Sequence, residues 1–180
     1  MVDDSIKEKT RRERLRREAA RKGIPPLRGI GDEKAYLWWL GGFFDGEGCV
    51  CIPERKTCTR YHHDYTLTVE VGGNFKEVLE EMEKRFGGTL SPKGGGSEFA
   101  WRLQLSPNKA LHFLETIQPY VRLKHREVEI GIEFQGDKVI LRSGTSMDAY
   151  RAEMERRQAL SKALKDLNQV RNVGRRVNGE

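Results

Sequence analysis

From Glu33 to about Phe44 the sequence reads as a helix that is apolar on nearly every side, through Tyr36-Leu37-Trp38-Trp39-Leu40. A helix with no water-facing side must be covered from several directions. Asp32 can cap its start. Gly41 and Gly42 in its middle let another backbone approach closely. Gly48 closes the helix, and Cys49-Val50-Cys51-Ile52 follows at once as a short strand ended by Pro53. Whatever this chain folds into is built around a buried helix that passes straight into a sheet.

The rest of the pattern fits one domain of ordinary size in 180 residues. A second strand is expected from about Tyr61 to Val71. Its odd positions Tyr65, Leu67, Val69 and Val71 are apolar, and its even positions Asp64, Thr66, Thr68 and Glu70 are polar. That alternation describes a sheet with one packed and one open face. Asn74 with Glu77 forms a capping-box pattern for a helix through Val78, Leu79, Met82 and Phe86, which Gly87-Gly88 ends. A hairpin follows from Leu90, turning at Lys93 to Gly96. Its return strand has Phe99, Trp101, Leu103 and Leu105 inward, and Glu98, Arg102 and Gln104 outward. Ser106-Pro107 opens another helix, which ends before Pro119. Val128, Ile130, Ile132 and Phe134 alternate with polar residues, as in a strand, although the preceding charged stretch suits a helix. A last helix, about Met147 to Val170, carries Leu160, Ala163, Leu164 and Leu167 on one face.

The fold class is therefore α+β. Four antiparallel strands carry helices on one face, and the open polar face calls for a partner. Three segments are expected: a basic arm and linker at 1–31, a core at 32–146, and a C-terminal helix and tail at 147–180.

Charge is concentrated in the arm. Between Ser5 and Lys22 nine basic residues face three acids, which accounts for the whole net charge of +6; the remaining 24 basic and 24 acidic residues cancel. Residues 5–22 read as a helix with almost no apolar stripe, suited to an anionic polymer. No run of eighteen apolar residues offers a membrane span, so no membrane partner is expected. The polar N-terminus lacks the pattern of a secretion signal, and three cysteines suit reduced thiols. A cytoplasmic, nucleoid or organellar location is the expectation.

The segment Leu40-Gly41-Gly42-Phe43-Phe44-Asp45-Gly46-Glu47-Gly48 closely resembles the LAGLIDADG motif of homing endonucleases. Gln118-Pro119-Tyr120-Val121-Arg122-Leu123-Lys124 resembles a second stretch shared by that family's single-motif, homodimeric branch. The resemblance spans about Asp32 to Phe134. It implies an αββαββα core with a saddle-shaped antiparallel sheet. It also implies a homodimer that cleaves double-stranded DNA with Mg²⁺ or another divalent cation, at a long, near-palindromic site, in the homing of an intron or intein. One motif gives half an active site, so two chains are needed.

The resemblance also assigns residues. Glu47, the acid before the last glycine, is the metal ligand, with the backbone carbonyl of Gly46 a further one. Lys124 matches the basic residue near the scissile phosphate. Leu37, Gly41, Gly42 and Asp45 fall at the dimer interface, with Asp45 closing the helix end. Glu stands at 47 where Asp is more familiar. Gly72-Gly73-Asn74 leaves Asn74 alone in place of a polar residue that organises water. The residue chemistry agrees in part: two Glu47 carboxylates brought together would suit a hard divalent cation.

For DNA, the outward residues Cys51, Arg55, Arg60, Thr66, Thr68, Glu70, Arg102 and Gln104 can read base edges in a major groove. An ordinary solvated sheet face is the plainer alternative. Cys49, Cys51, Cys58, His62 and His63 invite a zinc reading, but their spacing fits no common ligand pattern. The rival function is a non-cleaving nucleic-acid-binding protein of the same fold, an intron RNA maturase or a transcriptional regulator.

Overall fold

A computed structural model describes residues 32–56, 63–93, 100–139 and 145–177. The arm at 5–22, Arg60, Cys58, His62, Glu98, Phe99 and the hairpin turn after Lys93 lie outside the described residues. The chain divides into two units, Met1–Tyr36 and Leu37–Glu180. In the first, the carboxylate of Asp32 accepts the Lys34 N–H at 3.0 Å, which caps the opening turn of helix α1 (Glu33–Glu47) as expected.

In the second unit α1 leads directly into β1 (Gly48–Cys51). A β-carbon at position 48 would overlap the Phe44 ring, so only glycine allows the helix to become a strand without a loop. The expected second strand is broken in two. A two-stranded ribbon, β2 (Glu54–Lys56) with β3 (His63–Tyr65), precedes β4 (Thr68–Gly73). Pro53 has no N–H to give the ladder, and the pairing restarts beyond it.

Helix α2 (Lys76–Phe86) starts one residue later than the capping-box pattern implies. Phe75 holds the cap position with no side-chain bond, because the exposed Asn74 is still one residue outside the helix. Gly87 and Gly88 end it at φ 73° and 116°, which favour glycine. β5 (Thr89–Pro92) pairs with β6 (Trp101–Leu105). Then come α3 (Pro107–Ile117), a 3₁₀ turn at Gln118–Tyr120, α4 (His125–Gly136) and α5 (Met147–Val177).

Strand-like alternation at 127–134 gives way to helix α4. The reason is Glu127 and Gly131: both are buried along with Val128, Ile130 and Phe134, so the inward set steps by three and four, not by two. A β-carbon on Gly131 would lie 2.6 Å from the Leu114 side chain, so α3 and α4 need a glycine at this crossing.

The main sheet runs β1-β4-β6-β5, antiparallel throughout. Val50, Val69 and Leu105 form one buried row, and Val71 and Leu103 belong to the next. Helices α2, α3 and α4 pack on this face. Phe44, Phe113 and Phe86 meet edge-on within it, at 5.4 and 5.0 Å between centroids. Burying each such ring stabilises the fold by roughly 2–3 kcal/mol. Cys49, Glu70, Gln104 and Thr89 pair across the opposite face, which no described helix covers. The saddle expected from the sequence is present.

Helix α5 departs from expectation. Leu164 is buried and Leu160 and Leu167 are half-buried, but Ala163 is exposed. The inward stripe is mostly polar: Glu153, Arg157, Ser161 and Leu164. Arg157 donates to Glu153 at 2.7 Å, to Asp64 on β3 at 2.6 Å and to the Val139 carbonyl at 2.9 Å. Ser161 donates to the Ile52 carbonyl at 2.7 Å. The Ser161 bond gives the backbone acceptor just past β1 a partner. Burial raises the Glu153 carboxyl, but bonds and charges from Arg156 and Arg157 outweigh it and hold the group below the usual carboxylate range. Its stabilisation is therefore complete at neutral pH and is lost as pH falls through that lowered value. Acid titration followed by amide exchange should show α5 opening before the sheet.

Candidate active site

Two side chains interlock the end of α1 with the start of α4. The Asp45 carboxylate accepts three consecutive backbone N–H groups: Arg122 at 2.8 Å, Leu123 at 3.0 Å and Lys124 at 2.9 Å. In return the Lys124 ammonium donates to the Phe44 carbonyl at 3.0 Å and the Asp45 carbonyl at 2.7 Å. An anion thus sits at one helix start and a cation at another helix end, each where the peptide dipoles favour it. Asp45 is therefore tied up within its own chain, as a helix-end residue. Lys124 is 8% exposed, and its charge is used on backbone.

Glu47 is different. It is the last residue of α1, it is exposed, and among the described residues no hydrogen bond or ion pair holds its carboxylate. It opens on a cleft of about 540 Å³ lined by Phe43, Gly46, Glu47, Cys49, Glu70, Asn74, Lys93, Arg102, Lys124 and Asn168. The cleft lies on the uncovered face, where Arg102 approaches Glu70 at 3.6 Å. It brings together Glu47, Gly46, Lys124, Glu70 and Arg102 from the sequence expectations. Gln104 and Cys51 share the sheet face but not the lining. Arg55 is exposed on the separate ribbon, and Thr66 is half-buried between strands.

Thr68 is a correction: it is 7% exposed and cannot read a ligand. It pairs with half-buried Cys51 on the neighbouring strand. At Gly41 a β-carbon would lie 2.5 Å from the Tyr120 carbonyl, so glycine is needed there for packing within the chain itself. At Gly42 and Gly46 nothing described lies within 4 Å of that position. Beside them Trp38 is 43% exposed, propped edge-on by Tyr120 at 5.2 Å and topped by the Arg122 guanidinium at 5.4 Å. Leu37 is half-buried.

Sequence reasoning missed Asn168 and Lys93 in the cleft. The sequence pattern puts Lys93 in a turn, and Asn168 lies on a helix whose approach to β1 no local pattern announces; its amide reaches the Val50 carbonyl at 3.4 Å. It also missed the closeness of the two strand thiols, whose sulfurs are 3.2 Å apart. The hydrogen bond from Cys51 lowers the Cys49 thiol to about 7; the same contact and burial push the Cys51 thiol up.

The donor set bears on a metal. Among the described residues no three His, Cys, Asp or Glu side chains gather as a cation site. The zinc reading gains nothing from the described residues, and Cys58 and His62 lie outside them. The exposed Glu47 carboxylate is a hard oxygen donor of the kind that holds Mg²⁺ together with waters and substrate phosphates.

No family profile and no curated protein matches the chain in sequence. Solved structures match its fold. The homing endonuclease I-CvuI, in complex with a DNA target in the presence of Mg²⁺, is similar at a TM-score of 0.62, with 16% identity over 74% of this chain and 82% of its own. The archaeal intron-encoded homing endonuclease I-Vdi141I, complexed with DNA, gives 0.60 and 17% over 76% and 86%. The homing endonuclease I-TnaI gives 0.52 and 15% over 74% and 95%. A helix that ends in an acid beside an open antiparallel saddle marks the class as a groove-bearing α+β scaffold. The fold is that of the LAGLIDADG homing endonucleases.

Proposed function

We propose that the chain is a homodimeric, divalent-metal-dependent, site-specific double-stranded DNA endonuclease. The observation that carries this reading is the separation of the two motif acids: Asp45 is consumed by the 122–124 turn, whereas Glu47 is exposed, lines the cleft and has no hydrogen-bond or ion-pair partner among the described residues. Two chains related by a twofold axis would bring their Glu47 carboxylates together, with the Gly46 carbonyls beside them, to hold Mg²⁺. When bound, such a cation activates water and neutralises charge on phosphate. This chain's residues do the rest: the open sheet face positions the duplex, with Glu70, Arg102 and Gln104 turned toward it, and Lys124 fixes the helix end that carries Glu47. Homing of an intron or intein is the role this activity would serve, in a compartment that holds DNA.

The test is direct: incubate the purified chain with a randomised duplex library and Mg²⁺, and sequence the ends produced. Recurrent cuts at one near-palindromic site support the reading. Specific binding without cuts favours the non-cleaving alternative, to which the engagement of Lys124 by backbone carbonyls lends weight.

The dimer face on α1 should run through Trp38, Gly42 and Gly46. Gly42→Leu should leave the melting temperature nearly unchanged, since nothing described occupies its space. Sedimentation should then show monomers, and cleavage should vanish. Gly41→Leu should instead unfold the chain, because it drives a side chain into the Tyr120 backbone. A Gly42→Leu variant that stays dimeric and active would remove α1 from the interface.

The arm at 1–31 is proposed to track phosphates beside the 32–146 core. Deleting 1–23 should lower DNA affinity and flatten the dependence of log affinity on log salt, because fewer counterions are released. An unchanged slope would show that the arm touches no phosphate.

A further inference from the structure

β1 is an edge strand of the sheet, and it turns two free thiols to the open face, Cys49 and Cys51. Both are half-buried, and their sulfurs lie 3.2 Å apart. Cys49 lines the cleft, which a small solute can enter. We propose that Cys49 and Cys51 form a vicinal dithiol site that a peroxide converts into a reversible disulfide within one strand. One sulfur attacks the peroxide, the O–O bond breaks, and a sulfenic acid and one water result. The second sulfur then displaces the sulfenic oxygen as a second water, and the S–S bond forms. Two thiols and one peroxide thus give one disulfide and two waters.

The geometry suits this closure and also its reversal. The sulfurs need to approach by only about 1.2 Å to reach bonding distance. Residues two apart on a strand have Cα atoms roughly 6.7 Å apart, near the upper end of the span that disulfides bridge. Closure therefore tightens the backbone, and a bond under such strain is easily reduced. The tightening is tolerated because β1 pairs with one strand only, β4, and between the two cysteines its other edge carries the long 3.4 Å bond from the Asn168 amide to the Val50 carbonyl. The site does not depend on the nuclease reading, because it is read by mass and not by activity.

The experiment uses the full chain with Cys58→Ser, so that two thiols remain. After treatment with a small excess of hydrogen peroxide, intact mass should fall by two hydrogens and alkylation by iodoacetamide should be lost. Dithiothreitol should restore both. Non-reducing peptide mapping should place the bond between positions 49 and 51 of one chain. The same variant with Cys51→Ser should keep an added oxygen instead, having no second thiol in reach. Thiols that persist, oxygen gained without loss of two hydrogens, or a bond between two chains would each overturn the proposal.

Discussion

Glu47→Gln should bind the target duplex at least as tightly as the unaltered chain while Mg²⁺-dependent cleavage falls by roughly a thousandfold or more. The substitution keeps the size of the side chain and its capacity to accept hydrogen bonds. It removes the one motif carboxylate that no described partner neutralises. If that carboxylate helps to hold a cation, its loss removes both the activated water and the charge stabilisation the cation supplies. It also removes a negative charge that would sit near DNA phosphates, so affinity should hold or rise. Folding should not change, because the side chain is exposed at the end of α1 and no described hydrogen bond or ion pair depends on it. Binding and cleavage measured on one labelled duplex separate these effects. Cleavage at an undiminished rate would sink the assignment. A mixed dimer, with one altered and one unaltered chain, sharpens the result. If the cation is shared across the axis, it should nick slowly or not at all, whereas independent half-sites would still cut one strand at full speed.

Much of this arrangement was legible because the local signals agree with one another. The apolar helix, the glycine at its exit, the period-two alternation of Val69 and Val71, and the Gly87-Gly88 stop each describe short-range physics, and each is present in the fold. What the local pattern left open or missed has long-range reasons. The segment at 127–134 reads both as strand and as helix, and burial of Glu127 and Gly131 against other elements selects the helix. The inward face of α5 is built from Glu153, Arg157 and Ser161, and apolar periodicity is blind to a stripe held by ion pairs and carbonyl acceptors. Gly41 and Gly42 are adjacent in sequence and chemically identical, yet they differ by about a hundred degrees around the helix. One therefore meets Tyr120, and the other meets no described atom within 4 Å. The roles of Asp45 and Glu47 came from a family resemblance; the three bonds from residues 122–124 supply the physical reason for Asp45, while the metal role of Glu47 rests on the experiment above.

Asp45→Ala should destabilise the chain by about 3 kcal/mol, because it strips three charge-assisted acceptor contacts from consecutive N–H groups at the start of α4. Asp45→Asn should cost less, about 1–2 kcal/mol, since one oxygen still accepts while the amide nitrogen faces donors. Lys124→Met should also cost about 2 kcal/mol. It keeps the buried stem but leaves the Phe44 and Asp45 carbonyls without their donor. The two residues act on the same junction, so the double variant should cost less than the two single losses together. Urea titrations of the four chains measure this coupling. Cleavage by the Asp45 variants should track the folded fraction, recovering at low temperature, where more of the chain is native. Additive losses would mean that the carboxylate and the ammonium hold separate parts of the fold. Cleavage lost in Asp45→Asn at undiminished stability would move that carboxylate from the helix junction into the metal site.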